Sequence, residues 1–66
     1  MKAKLIQEYD KKYRKGYEVE IDKIELDPRF GSGIKVRVTN MGKLSTYLDL
    51  GWINSKVENG KLIPRG

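Results

Sequence analysis

The sequence predicts an all-β domain, a small meandering barrel of about five short antiparallel strands. Apolar and polar side chains alternate with period two through much of residues 17–53, which is typical of half-buried strands. Turn residues separate the alternating runs. The chain has 66 residues, enough for one domain only. Because a sheet that curls on itself covers an apolar face without helices, a barrel suits this length. We expect residues 1–66 to form this single domain, with a tail at 64–66.

The first alternating run places Val19 and Ile21 on one face of a strand, with acidic residues between and beside them. The apolar pattern then resumes at Ile24 with the opposite parity. Because a strand cannot change faces without an irregularity, we expect a β-bulge near residues 22–23. One proline and two glycines predict a turn-rich loop over residues 27–33.

The second run, residues 34–39, alternates most regularly, and a turn over residues 40–42 separates it from a third run over residues 44–53. Gly51 interrupts the third run, which indicates a bulge or a close approach of another backbone. Leu44 shares the parity of the leucines that follow it in this run. The alternation predicts a core of Val19, Ile21, Ile24, Ile34, Val36, Val38, Leu48, Leu50 and Leu62.

Asn59 and Gly60 predict the last turn, a type I′ hairpin, because both residue types tolerate positive φ. Pro64 then ends the final strand. The N-terminal segment is ambiguous: some apolar residues fall at helical spacing, whereas residues 4–9 would also serve as an edge strand. We favour the strand, since a lone helix of about 12 residues is weak in isolation. Residues 1–15 would then form an edge strand and an exposed basic loop.

The charge is distributed unevenly along the chain, whose net charge is +5. Residues 1–16 have six basic and two acidic groups (+4), residues 17–27 one basic and five acidic (−4), and residues 28–66 seven basic and two acidic (+5). Two explanations stay open. The acidic segment can match basic residues on a neighbouring strand, or a basic face can be free to bind a polyanion.

The composition argues against most catalytic and metal chemistry. The chain has no cysteine and no histidine, so disulfides, thiolate or imidazole ligands and the commonest general base are absent. The acidic residues of the first run are most simply a solvated strand face, and the glycines at 31 and 33 precede no helix that could bind phosphate. We therefore expect no enzyme activity, no catalytic residue, no cofactor and no metal. Short apolar runs predict no membrane span, and we expect a cytoplasmic protein.

Three stretches carry a resemblance to a known family. They are Gly-Tyr-Glu-Val-Glu-Ile at residues 16–21, the Phe-Gly-Ser-Gly loop and following strand at residues 30–38, and Leu-Asp-Leu-Gly-Trp-Ile at residues 48–53. Together they resemble small SH3-like barrel proteins, in particular short proteins of phages and prophages of low-GC bacteria. The resemblance implies an SH3-like barrel and a non-enzymatic protein, without implying a ligand. The acidic loop and aromatic ladder of proline-peptide-binding SH3 domains are missing, so that activity is not expected.

The first functional interpretation is nucleic-acid binding, to DNA or RNA. Lys35 and Arg37 alternate along one strand face, and a basic run near the N-terminus is interleaved with tyrosines. Small barrels bind nucleic acid by combining cations for phosphates with aromatic faces for bases. The predicted nucleic-acid-binding residues are Lys11, Lys12, Arg14, Lys15, Lys35, Arg37 and Tyr13. In the alternative view these lysines are ordinary surface charge and the tyrosines cover a thin core.

The second functional interpretation is a protein-binding module, either a phage-type modulator of a host protein or a homodimer. A barrel this small cannot bury all of its aromatic residues, and tryptophan and tyrosine are enriched at binding hot spots. The predicted protein-binding residues are Trp52, Phe30 and Tyr47. In the alternative view Trp52 closes one end of the barrel core.

Overall fold

The computed structural model describes residues 1–65, which form six β-strands and one turn of 3₁₀-helix. Strands β1 to β4 form an antiparallel sheet in sequence order, and β5 and β6 form a hairpin. The all-β prediction is confirmed. In chain order the elements are β1 (Lys2–Lys4), β2 (Glu18–Leu26), β3 (Ile34–Val38), β4 (Thr46–Asp49), the 3₁₀ turn (Leu50–Trp52), β5 (Ser55–Glu58) and β6 (Lys61–Pro64).

The start of the chain closes the sheet into a barrel. On one side β1 pairs with β2. On its other side Leu5 forms an antiparallel bridge with Ile53, and the Asn54 amide donates a 3.0 Å hydrogen bond to the Lys4 carbonyl. The N-terminal segment is therefore a strand and not a helix. The edge position is confirmed, since β1 is the first strand in the order of its sheet, but the predicted bounds of residues 4–9 are wrong because the strand spans Lys2–Lys4.

The predicted β-bulge is confirmed in β2. Ile21 is paired with Val38, but Lys23 is paired with Arg37, so the register shifts by one residue between Ile21 and Lys23. An extra residue on one strand turns the following side chains to the other face. As a result, this nine-residue strand turns Val19 and Ile21 toward the core in its first half and Ile24, of the opposite parity, in its second half.

The core lies inside the barrel and is larger than the alternation predicted. Six predicted positions are buried, while Ile24, Ile34 and Leu62 pack partly buried against them. Five buried residues were not predicted, because they lie in loops, at bridges or in short β1, where no alternation marks them. The buried apolar residues are Ala3, Leu5, Tyr13, Val19, Ile21, Val36, Val38, Met41, Leu48, Leu50 and Ile53.

The third run is not one strand, and this corrects the prediction for residues 44–53. Leu44 lies in the loop before β4 and is 83% exposed. At the other end β4 stops at Asp49, whose carboxylate accepts a 2.8 Å hydrogen bond from the Gly51 amide and caps the 3₁₀ turn. A Cβ on Gly51 would lie 2.9 Å from the same carboxylate. The group that lies close to Gly51 is thus the Asp49 side chain, and not another backbone as predicted.

The predicted hairpin between β5 and β6 is confirmed. Asn59 has φ of 52° and Gly60 has φ of 75°, the left-handed conformation that a type I′ turn requires. Glu58 is paired with Lys61 on either side of the turn. Positive φ at both central positions matches the twist of the two strands, which explains why this dipeptide lies here.

Candidate nucleic-acid interface

A loop of residues 6–17, which we call the basic loop, joins β1 to β2 and is tied to the barrel at its base. The Leu5 amide donates to the Tyr17 carbonyl at 3.0 Å, and the Gly16 amide donates to the Leu5 carbonyl at 2.8 Å. The Ile6 amide donates to the Trp52 carbonyl at 3.0 Å. The loop therefore leaves and re-enters the barrel at adjacent points.

Hydrogen bonds within the basic loop hold its tip in one conformation. One carboxylate oxygen of Asp10 accepts from the amides of Lys12 and Tyr13, at 2.8 and 2.9 Å. This is the side-chain-to-backbone turn that aspartate favours. The Tyr9 amide donates to the Tyr13 carbonyl at 2.8 Å. The basic side chains on this loop are thus displayed from an ordered backbone.

Tyr13 anchors the loop to the core. Its side chain is 8% exposed and belongs to the core. The ring meets Tyr17 edge to face, with centroids 5.0 Å apart, and the Tyr17 hydroxyl donates to the Asn40 carbonyl at 2.7 Å. The prediction of Tyr13 as a nucleic-acid-binding residue is therefore not supported by its position, because little of its ring is accessible to a base. In the sequence it lies within a run of charges, and nothing local shows that it points inward.

Four cations surround this anchor and face outward: Lys11, Lys12, Arg14 and Lys15. Arg14 donates to the Lys11 carbonyl at 3.1 Å and lies 3.9 Å from the Glu8 carboxylate, with both side chains well exposed. The ion pairs within residues 1–65 leave the three lysines without an acidic partner. The structure brings these four predicted residues together on one loop.

Lys35, by contrast, is held by acidic residues of its own sheet. Its ammonium lies 3.0 Å from the Asp27 carboxylate and 3.5 Å from that of Glu25, and its side chain is only 15% exposed. Hydrogen bonding to Asp27 raises the pKa of Lys35. The prediction that this cation faces a phosphate is therefore not supported by its position, because binding would first have to break two ion pairs.

Arg37 is engaged in the same way. Its guanidinium donates two hydrogen bonds to the Asp22 carboxylate, at 2.8 and 2.6 Å. This fork geometry is the strong form of a charge-assisted pair, and it lowers the pKa of Asp22. The acidic segment of β2 thus matches the basic residues of β3, the first of the two explanations for the charge distribution. Lys35 and Arg37 do not belong to the basic loop surface.

Asp27 is the centre of a second, structural charge cluster. Its carboxylate accepts from the Arg29 side chain at 3.0 and 2.8 Å and from the Lys35 ammonium at 3.0 Å. Arg29 first and then Lys35 hold the pKa of Asp27 well below its usual range. Because Asp27 is buried at the start of the 27–33 loop, its ionised form fixes that loop to β3.

The three predicted protein-binding residues do not form one aromatic cluster. Phe30 and Tyr47 both lie near Lys35, whose ammonium is 5.7 and 4.5 Å from their ring centroids. Tyr47 is exposed on β4, and Phe30 is partly buried. The aromatic neighbour of Trp52 is instead Tyr9, a residue of the basic loop. Phe30 and Tyr47 therefore contact Lys35, and Trp52 belongs to another surface.

Tyr9 and Trp52 form an aromatic pair beside the cations. The ring centroids are 5.7 Å apart with an interplanar angle of 68°, an edge-to-face contact. Tyr9 is 44% exposed, and Trp52 is partly buried against the core. The sequence shows a tyrosine interleaved with the basic residues, but its contact with a tryptophan 43 positions later depends on barrel closure.

Comparison with known proteins finds no match: no family model, no curated protein and no solved structure matches the chain significantly. The resemblance to SH3-like phage proteins therefore stays a prediction. Within residues 1–65, no helix has the length and apolar character needed to cross a membrane.

Proposed function

We propose that this chain is a non-enzymatic binding protein that binds nucleic acid through the basic loop. The observation that carries this proposal is the display of four exposed cations from a fixed loop beside an aromatic pair. A positive surface attracts phosphates whatever their sequence, and aromatic rings beside it add contacts to bases.

The pairing of the remaining charges supports the same location. Glu20, Asp22 and Glu25 of β2 are paired with basic residues of β1, β2 and β3, so the cations of β2 and β3 have partners. Asp27, just after β2, is paired with Arg29 and Lys35. The basic loop, with four basic and two acidic residues, contributes +2 of the chain's net charge of +5. Phosphate binding there would cost little, because no buried ion pair must be broken.

Fluorescence anisotropy with labelled oligonucleotides tests the proposal at about 50 and 200 mM salt. If four phosphates are contacted, affinity for a single strand should fall about fiftyfold over this range, because each contact contributes about 0.7 to the logarithmic salt slope. Replacing all four loop cations by alanine should remove most of the binding and most of that slope.

A matched control variant has the same net charge as the variant without the four loop cations. Replacing Lys43, Lys56, Lys61 and Arg65 by alanine also removes three lysines and one arginine, all exposed and outside the basic loop. We expect this variant to bind nearly as well as the parent. Equal losses in the two variants would show that net charge alone attracts nucleic acid, and absent or salt-insensitive binding in the parent would refute the proposal.

A second candidate function is protein binding by the outer face of β3 and β4. Tyr47 is exposed there on β4, which is the last strand in the order of its sheet. Such an edge can pair with another chain. Size-exclusion chromatography with light scattering tests the homodimer form of this candidate: a dimer that Tyr47→Ser converts to a monomer supports it, whereas a monomeric parent argues against it.

A further inference from the structure

The aromatic pair has ring faces available for a ligand. In an edge-to-face contact one ring directs its edge at the other, so it covers at most one face of its neighbour and none of its own. Tyr9 and Trp52 have this geometry, and Tyr9 is 44% exposed. Part of a flat apolar surface is therefore open to solvent at the junction of the basic loop and the barrel.

This surface is fixed in position relative to the cations. On one side the Tyr9 amide donates a hydrogen bond to the carbonyl of Tyr13, the residue between Lys12 and Arg14. On the other side the Trp52 carbonyl accepts from the Ile6 amide, at the start of the same loop. Ile6 is itself exposed. The backbone that carries the rings and the backbone that carries the cations are therefore hydrogen-bonded to each other.

Base stacking on an aromatic surface favours the binding of single strands over that of duplexes. In a duplex the base faces are covered by neighbouring bases, and the outer surface offers phosphates and sugars. An unpaired base has a free face, and every base can stack on an aromatic ring whatever the sequence. From these contacts we infer that the ligand is single-stranded nucleic acid, bound with one unpaired base stacked against the Tyr9–Trp52 pair. This inference rests on the proposed function.

Trp52 provides a direct readout, because it is the only tryptophan in the chain. Selective excitation of tryptophan during titration with oligothymidine should show quenching as the base stacks. Titration with the same oligothymidine annealed to oligoadenine should leave the emission nearly unchanged and should give weaker binding. Quenching by both ligands to the same extent, or by neither, would overturn the inference.

Substitution of Tyr9 tests the stacking surface itself. Tyr9→Leu keeps an apolar side chain against Trp52 but removes the aromatic face, and it should weaken oligothymidine binding by about five- to a hundredfold. The salt slope should stay the same, since the phosphate contacts are unchanged. Tyr9→Phe should bind like the parent. A control is Leu44→Ala, which removes an exposed apolar side chain from the loop before β4 and should leave oligothymidine binding unchanged.

The outcomes separate this inference from the proposed function. Salt-dependent binding that is equal for single strand and duplex, and is unaffected by Tyr9→Leu, would leave nucleic-acid binding standing and refute the single-strand inference. Absence of salt-dependent binding to single strand and to duplex would refute both the inference and the proposed function. Polyglutamate is a third probe: binding as tight as that of oligothymidine would show that the basic loop recognises negative charge alone, which also refutes both.

Discussion

Replacing Ile53 by valine tests whether the barrel closes between the start of the chain and the segment after the 3₁₀ turn. Ile53 is 0% exposed and forms the bridge with Leu5. The substitution removes one buried methylene, which contributes about 0.8 kcal/mol of transfer free energy. With the cavity that remains, we expect the free energy of unfolding to fall by about 1 kcal/mol. In a domain of this size that lowers the melting temperature by about 4–8 °C.

Ile53→Ala extends the same test. The loss should be about 2–5 kcal/mol, comparable to the total stability of about 3–5 kcal/mol that a core of this size supplies. This variant should therefore be largely unfolded at room temperature. Circular dichroism during thermal and urea unfolding measures both variants.

The matched control is Ile6→Val, which removes the same methylene from the residue next to the bridge. Ile6 is 40% exposed, so its free energy of unfolding should change by less than about 0.5 kcal/mol. If the two valine variants were equally stable, Ile53 would not be enclosed by the first strand, and the closure of the barrel described above would be wrong.

Three further predictions concern the loops and the charge clusters. The lowered pKa of Asp27 stabilises the folded protein above the ordinary carboxyl pKa of about 4, and this stability is lost as the pH falls toward the folded-state pKa. The urea concentration at the unfolding midpoint should therefore be lower at about pH 2.5 than at about pH 5, and the decrease should be smaller in Asp27→Asn. Equal pH dependence in the two proteins would contradict the assignment. At the hairpin, the free energy of unfolding of Asn59→Ala should be about 1–2 kcal/mol lower than that of Asn59→Gly, because residue 59 has positive φ. Chemical denaturation measures the difference, and an alanine variant as stable as the glycine variant would argue against a type I′ turn. Asp49 accepts hydrogen bonds from Ser32 and Gly51. Asp49→Ala should therefore speed amide hydrogen exchange at both residues, with the Tyr47 amide as the internal reference. Unchanged exchange at Ser32 would show that the carboxylate does not hold the 27–33 loop.

Much of the fold could be predicted because strand signals are local. Side chains of a strand point alternately to its two faces, so a buried face produces period-two alternation in the sequence itself. The change of parity at Ile24 therefore located the bulge, and Asn59-Gly60 located the last turn. The same argument failed after β4, because Asp49 caps a 3₁₀ turn that carries Leu50 into the core without continuing the strand.

The candidate site was predicted only in part. The four cations of the basic loop could be recognised as a run of like charge, and the structure keeps them together and exposed. Lys35 and Arg37 looked equivalent to them in the sequence. Their partners, Asp27 and Asp22, are brought opposite by the pairing of β2 with β3, and strand register is not visible from one strand alone.

By itself, the sequence determined that this chain has an all-β fold with a bulge in its first long strand, a terminal hairpin and a basic segment near its N-terminus. These features depend on backbone preferences and on residues close together in the chain. Only the tertiary structure decided that Tyr13 is buried, that Tyr9 meets Trp52 and that the cations of β3 have acidic partners. Each of these depends on contacts between distant segments, because closing the barrel selects which side chains face each other.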